Sequence, residues 1–132
     1  MTSNDRTKRV VIVDDSKMAR TVVRRCLEIA GGRDWVFAEA GDGELALKEL
    51  LRPGDLLVTD LNMPRVDGYE LIRRVRADQR LSGMPIIVVS ADTDPATPRR
   101  IAALGVEAFF PKPFSPALVR RKLEQILNGS TH

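Results

Sequence analysis

Short apolar runs alternate along the chain with longer stretches in which apolar residues recur every three or four positions. Val10–Val13, Leu56–Thr59 and Ile86–Val89 are almost continuously apolar and rich in β-branched residues, which predicts strands covered on both faces of a parallel sheet. Val36–Ala38 and Ala108–Phe110 are shorter and weaker, as edge strands are. Between them the spacing predicts helices over Ser16–Ala30 (Ala19, Val23, Leu27 and Ala30 on one row), Gly43–Leu51 (Leu45, Ala46, Leu50) and Tyr69–Ala77 (Leu71, Ile72, Val75). Two more fall at Pro98–Leu104 and Ser115–Leu127, the latter with Val119, Leu123, Ile126 and Leu127 on its apolar face. Gly31-Gly32, Pro53-Gly54 and Gly105 supply the stops. Five strands alternating with five helices predict an α/β fold with a parallel sheet, and right-handed crossovers make it a doubly wound sandwich. No linker or low-complexity stretch interrupts the pattern, so a single domain is expected over 1–132, with its core at about 9–127 and no output module.

Composition narrows the chemistry. At 132 residues, with 43% apolar and 30% charged residues, the chain has the make-up of an ordinary globular domain. Its apolar runs fall far short of the roughly 20 residues of a membrane span. Met1–Arg9 is polar almost throughout, unlike a signal segment, so a cytoplasmic protein is expected. Cys26 is the only cysteine, which excludes an internal disulfide and a cysteine metal cluster, and its spacing from Met18, Val22 and Ile29 predicts a core position. The only histidine is His132, which argues against serine–histidine triads, histidine-bound zinc and histidine proton relays. The net charge is +3, with basic runs at Arg73, Arg74, Arg76 and Arg80 and at Arg120, Arg121 and Lys122. No aromatic residues interleave with them to stack bases, so solvated helix faces are expected and nucleic acid is not, whereas an acidic protein partner stays open.

The informative polar residues follow the strands. Asp14-Asp15 come after the first, Asp60 after the third, Ser90 after the fourth and Lys112 after the fifth. In a parallel sheet these positions share the carboxyl edge, where open α/β sheets bind ligands. Each has a structural alternative: Asp15 or Ser16 as a helix cap, Asp60 or Ser90 as a turn residue, Lys112 as a solvated lysine. Their convergence favours a site. Clustered carboxylates repel one another, and a hard divalent cation relieves this; oxygen donors without histidine or cysteine point to Mg²⁺. No phosphate-binding glycine loop of the nucleotide-binding types occurs, so a phosphoryl group must come from a small donor or a phosphorylated partner. A carboxylate can attack it without a general base, while Mg²⁺, Lys112 and the Ser90 hydroxyl offset charge on the transferring oxygens.

Val13-Asp14-Asp15-Ser16, Thr59-Asp60-Leu61-Asn62-Met63-Pro64-Arg65-Val66-Asp67-Gly68, Val89-Ser90-Ala91 and Pro111-Lys112-Pro113-Phe114 resemble the motifs of the response-regulator receiver domain, in order and at its spacings, over about Arg9–Leu127. The stand-alone chemotaxis type is the nearest likeness. The resemblance implies a flavodoxin-like (βα)5 fold of strand order 2-1-3-4-5, and a phosphoacceptor of two-component phosphorelays that promotes its own phosphorylation and slow dephosphorylation without being an enzyme in the usual sense. It implies Asp60 as the phosphoacceptor. Mg²⁺ would be held by Asp15, Asp60 and the Asn62 backbone carbonyl, with Asp14 acting mainly through water. Lys112 would pair with the phosphoryl group, a cis bond would precede Pro113, and Ser90 and Phe109 would form a coupled switch. A histidine kinase or phosphotransfer protein would be the phosphodonor, docking partly on Lys17, Arg20 and Arg24, all expected to be exposed. The output would be a downstream protein, with no nucleic acid or membrane, from a monomer or weak dimer. Phe109 replaces the usual tyrosine, Leu61 a frequent tryptophan, and Pro95 and Pro98 are expected to shorten the fourth helix.

The alternative from another class is a Mg²⁺-dependent phosphohydrolase with an aspartyl-phosphate intermediate. Such enzymes usually carry two aspartates one residue apart, whereas Leu61-Asn62 follows Asp60 here. A receiver-like scaffold that is never phosphorylated is weakened by the presence of all the acidic, hydroxyl and lysine residues.

Overall fold

The computed structural model describes the backbone of residues 8–128 and the side chains of 8–126. The strands are β1 (Arg9–Val13), β2 (Val36–Ala40), β3 (Leu56–Thr59), β4 (Ile86–Ser90) and β5 (Ala108–Pro111). The helices are α1 (Lys17–Leu27), α2 (Gly43–Glu49), α3 (Gly68–Ala77), α4 (Thr97–Ala102) and α5 (Pro116–Asn128). All strand pairs are parallel and the order is β2-β1-β3-β4-β5, the doubly wound topology.

Strand residues alternate between two cores, which is why these runs read as continuously apolar. Val11, Val13, Leu57, Ile86 and Val88 pack against Ala46 and Leu50 of the α2 region, Leu71, Ile72 and Val75 of α3 and Ile101 of α4. Val10, Ile12, Leu56, Val58, Ile87 and Val89 pack on the other face against Val23, Cys26 and Leu27 of α1 and Val119 and Leu123 of α5.

Helix ends are set by side chains. Ser16, not Asp15, caps α1 by accepting from Ala19 N–H at 3.2 Å, and Asp42 and Asp67 cap α2 and α3 at 2.9 Å each. The first helix is shorter than its periodicity predicts: α1 ends at Leu27 and continues as a π-helical turn over Glu28–Gly32, broken where Gly31 takes φ 133°. α4 is a short helix, Thr97–Ala102, with Pro98 in its first turn; it ends before the expected Leu104, with Gly105 at φ 77° beyond its end.

The apolar row assigned to Cys26 requires correction. Cys26 is buried, but with Val23, Leu27 and Ala30; Met18, Val22 and Ile29 are 77%, 41% and 55% exposed. Leu45 is likewise outward on α2, where Ala46 and Leu50 fill the core. The Cys26 thiol donates to the Phe114 carbonyl at 3.3 Å, and burial pushes its pKa up. The Leu127 side chain and His132 lie outside the described residues.

Candidate functional site

The carboxyl edge of the sheet gathers the residues singled out from sequence. Ligand oxygens of Asp14, Asp15 and Asp60 lie within 4.8 Å of one another, although the residues come from the ends of two strands. Asp60 leaves β3 beside β1, its N–H bonded to the Val13 carbonyl at 2.9 Å. Its Oδ1 accepts from Leu61 N–H at 2.7 Å. Asp14 Oδ1 accepts from Ser16 N–H at 2.9 Å, while the Asp14 backbone bonds Ala40 O and accepts from Arg20. Asp14 and Asp60 are buried and Asp15 is exposed, which leaves the cluster open to water on one side.

Lys112 is the cation among these charges. Its Nζ lies 2.9 Å from Asp14 Oδ2 and 3.3 Å from Asp60 Oδ2. Burial acts to lower the ammonium pKa, but the hydrogen bond to Asp14 and the charges of Asp60 and Asp14 outweigh it and raise the pKa. The Lys112 backbone N–H donates to Ser90 O at 3.0 Å, and the Lys112–Pro113 bond is cis. Ser90, fully buried at the end of β4, accepts from Asp92 N–H at 3.1 Å. Asp92 in turn accepts from the buried Thr97 hydroxyl at 3.0 Å. Phe109 pairs in register with Val88 and is half-buried against the α2–α4 core.

Asn62 is exposed in the loop after β3. That loop is closed by Gly68 N–H on Leu61 O at 2.9 Å, and only glycine fits at 68, because a Cβ there would run into the Asp60 carbonyl oxygen and the Leu61 Cα. Of the three basic residues expected to be exposed on α1, Lys17 and Arg24 are; Arg20 is half-buried, bonding Asp14 O at 2.7 Å and Glu39 at 2.9 Å.

Sequence reasoning passed over Asp42, Arg65 and Thr97. Asp42 is buried, caps α2 and forms an ion pair with Arg65. The bond from Leu45 N–H holds its carboxyl below the usual carboxylate range, against the opposing effect of burial, and Arg65 adds to the lowering. Its place one residue before a helical pattern was a legible cap signal. Nothing local marks Arg65 or Thr97.

The fold and this edge define a class. Residues 10–124 match the model of the response regulator receiver domain, and the chain belongs to that family. It is a receiver domain of two-component signalling, a phosphoacceptor regulator working between a phosphodonor and a downstream target. Among curated relatives it is 38% identical over 120 residues to the chemotaxis protein CheY of Pseudomonas aeruginosa, covering 89% of this chain and 94% of that one. Chemotaxis protein CheY-3 of Vibrio cholerae is 33% identical over 124 residues, covering 92% and 93%. Of solved structures, the chemotaxis response regulator CheY4 of Vibrio cholerae superposes with TM-score 0.79 at 29% identity, covering 92% of this chain and 99% of that one. A putative response regulator from Chloroflexus aurantiacus gives TM-score 0.83 at 27% identity, covering 93% and 99%. Among the described residues no helix is long and apolar enough to cross a membrane.

Proposed function

We propose that Asp60 is the phosphoacceptor and that its phosphorylation, dependent on Mg²⁺, resets a protein-binding surface. The observation that carries this reading is the convergence of the Asp14, Asp15 and Asp60 carboxylates, with a single cation, Lys112, on Asp14 and Asp60. A cluster of hard oxygen donors with only one neutralising side chain fits Mg²⁺. Asp15, Asp60 and the Asn62 carbonyl would hold it directly and Asp14 indirectly. When bound, Mg²⁺ supplies positive charge that offsets the carboxylates and the incoming phosphoryl oxygens.

An Asp60 carboxylate oxygen attacks phosphorus, forming an acyl phosphate, while the donor's P–N or P–O bond breaks and the donor leaves with that electron pair. Lys112 is placed to follow charge from the carboxylate to the phosphoryl group, and Leu61 N–H to orient the attacking carboxylate. Ser90 would exchange its bond from Asp92 N–H for the phosphate, Phe109 would move into the space vacated, and the switched face would bind the downstream protein. Water attacking the acyl phosphate would reverse the state slowly.

Docking of a histidine kinase or phosphotransfer protein is supported by an apolar groove of about 340 Å³ between α1 and the β5–α5 connection. Ala19, Val22, Val23 and Val89 line it together with Lys112, Pro113 and Phe114, so a histidine seated there approaches the acidic edge. The test is incubation with acetyl phosphate and Mg²⁺ followed by intact mass. One phosphoryl group per chain is expected, absent with chelator and in Asp60→Asn. Catalytic turnover of phosphomonoesters would favour the hydrolase alternative instead.

A further inference from the structure

We infer that the Asp42–Arg65 ion pair is a positioning device for the metal-binding loop, clamping it to the start of α2. This rests on the reading of Asp60 and Asn62 as metal ligands. The loop between β3 and α3 carries Asn62, and three contacts tie its far end to α2. Arg65 reaches the buried Asp42 carboxylate, Gly43 N–H donates to Val66 O at 3.0 Å, and Val66 lies so close over Gly43 that a Cβ there would overlap its carbonyl and side chain.

Arg65 pays for its place in backbone strain, since φ is 62° and it is the only non-glycine residue in the left-handed region among those described. A side chain held there needs a compensating contact, and the guanidinium on Asp42 is the contact Arg65 makes. Asp42 in turn is fixed by Leu45 N–H at 2.9 Å, and the strand before it is fixed by Asp14 N–H on Ala40 O at 3.1 Å. The pair therefore joins the Asn62 loop to the same β2–α2 corner that holds Asp14. Releasing it lets the loop relax away from the geometry in which Asn62 and Asp60 face one ion. Arg65 itself is 63% exposed, so the clamp can be released without opening the core.

The test is Mg²⁺ affinity of the unphosphorylated protein, measured by calorimetry on wild type, Arg65→Ala, Asp42→Asn and the double variant. Alanine at the exposed position 65 keeps the left-handed strain but loses the contact, and asparagine keeps the cap at 42, so both variants should fold. The clamp predicts weaker binding in each single variant, by about three- to tenfold, less than the 10- to 100-fold typical when a group bonded directly to a metal ligand is lost. The double variant should be no weaker than either single one, and Arg65→Lys should recover most of the affinity. Simple electrostatics predicts something else: removing the cation at 65 would tighten Mg²⁺ and removing the anion at 42 would weaken it. Opposite signs, or no change in either variant, would overturn the clamp. Absence of Mg²⁺ binding in wild type would instead defeat the metal-site reading beneath it.

Discussion

Replacing Asp60 by asparagine should stabilise the metal-free protein, although it removes the proposed acceptor. The ligand oxygens of Asp60, Asp14 and Asp15 lie within 4.8 Å of one another. At that separation each like-charge pair is repelled by about 3.5 kcal/mol at an effective dielectric of about 20. Against this, Asp60 is attracted to Lys112 at 3.3 Å, by about 5 kcal/mol on the same scale. Neutralising Asp60 removes two repulsions and one attraction, which leaves about 2 kcal/mol in favour of the amide. Water around the exposed Asp15 screens its share, so about 1 kcal/mol is the expected gain. The asparagine oxygen can still accept from Leu61 N–H, which keeps that contact. Urea unfolding in chelator should place the midpoint of Asp60→Asn above wild type, and thermal unfolding should rise by roughly 3–5 °C per kcal/mol for a chain of this size. Saturating Mg²⁺ should shrink or reverse the difference, because an ion held at the proposed site would stabilise the folded wild type. A variant less stable than wild type in chelator would refute the view that uncompensated carboxylate repulsion dominates this edge.

Lys112→Ala leaves Asp14 and Asp60 without their cation and should lower stability by about 2 kcal/mol near neutral pH. Because the Lys112 pKa is raised in the folded state, its contribution is complete below the ordinary value of 10.5 and is lost as pH climbs through the folded value. The gap between wild type and variant should therefore hold at about pH 8 and narrow as pH rises above 10.5 in urea melts. Gly68→Ala drives a methyl group into the Asp60 and Leu61 backbone and should cost about 1–3 kcal/mol while also reducing phosphorylation, read by unfolding and by intact mass. Ile12→Ala, at a position 1% exposed between β1 and the α1–α5 layer, should cost about 3–4 kcal/mol, read by urea unfolding.

The layers and the acidic edge were legible because both follow from strand periodicity. Once Val10–Val13, Leu56–Thr59 and Ile86–Val89 are parallel strands, the residues after them share an edge whatever the loops do. The orientation of α1 was harder to read. Cys26 belongs to two overlapping apolar rows, one through Met18 and Val22 and one through Val23 and Leu27, and helical spacing alone does not say which meets the sheet. Packing against Phe114, Val119 and Leu123 from the far end of the chain selects the second. The clamp at Arg65 was hidden for a similar reason. Its partner Asp42 is 23 residues away, and a left-handed arginine has no local signature. Arg20 reads as a surface cation until the fold brings Asp14 O and Glu39 to it.

The central claim is that Asp60, and neither of its neighbouring carboxylates, takes the phosphoryl group. Borohydride reduces an aspartyl phosphate to homoserine, so reduction of the acetyl phosphate-treated protein followed by peptide mapping reads the acceptor directly. The account predicts homoserine at position 60 alone, and none when Mg²⁺ is chelated. Homoserine at 14 or 15, or a phosphorylated chain with position 60 unaltered, would contradict it.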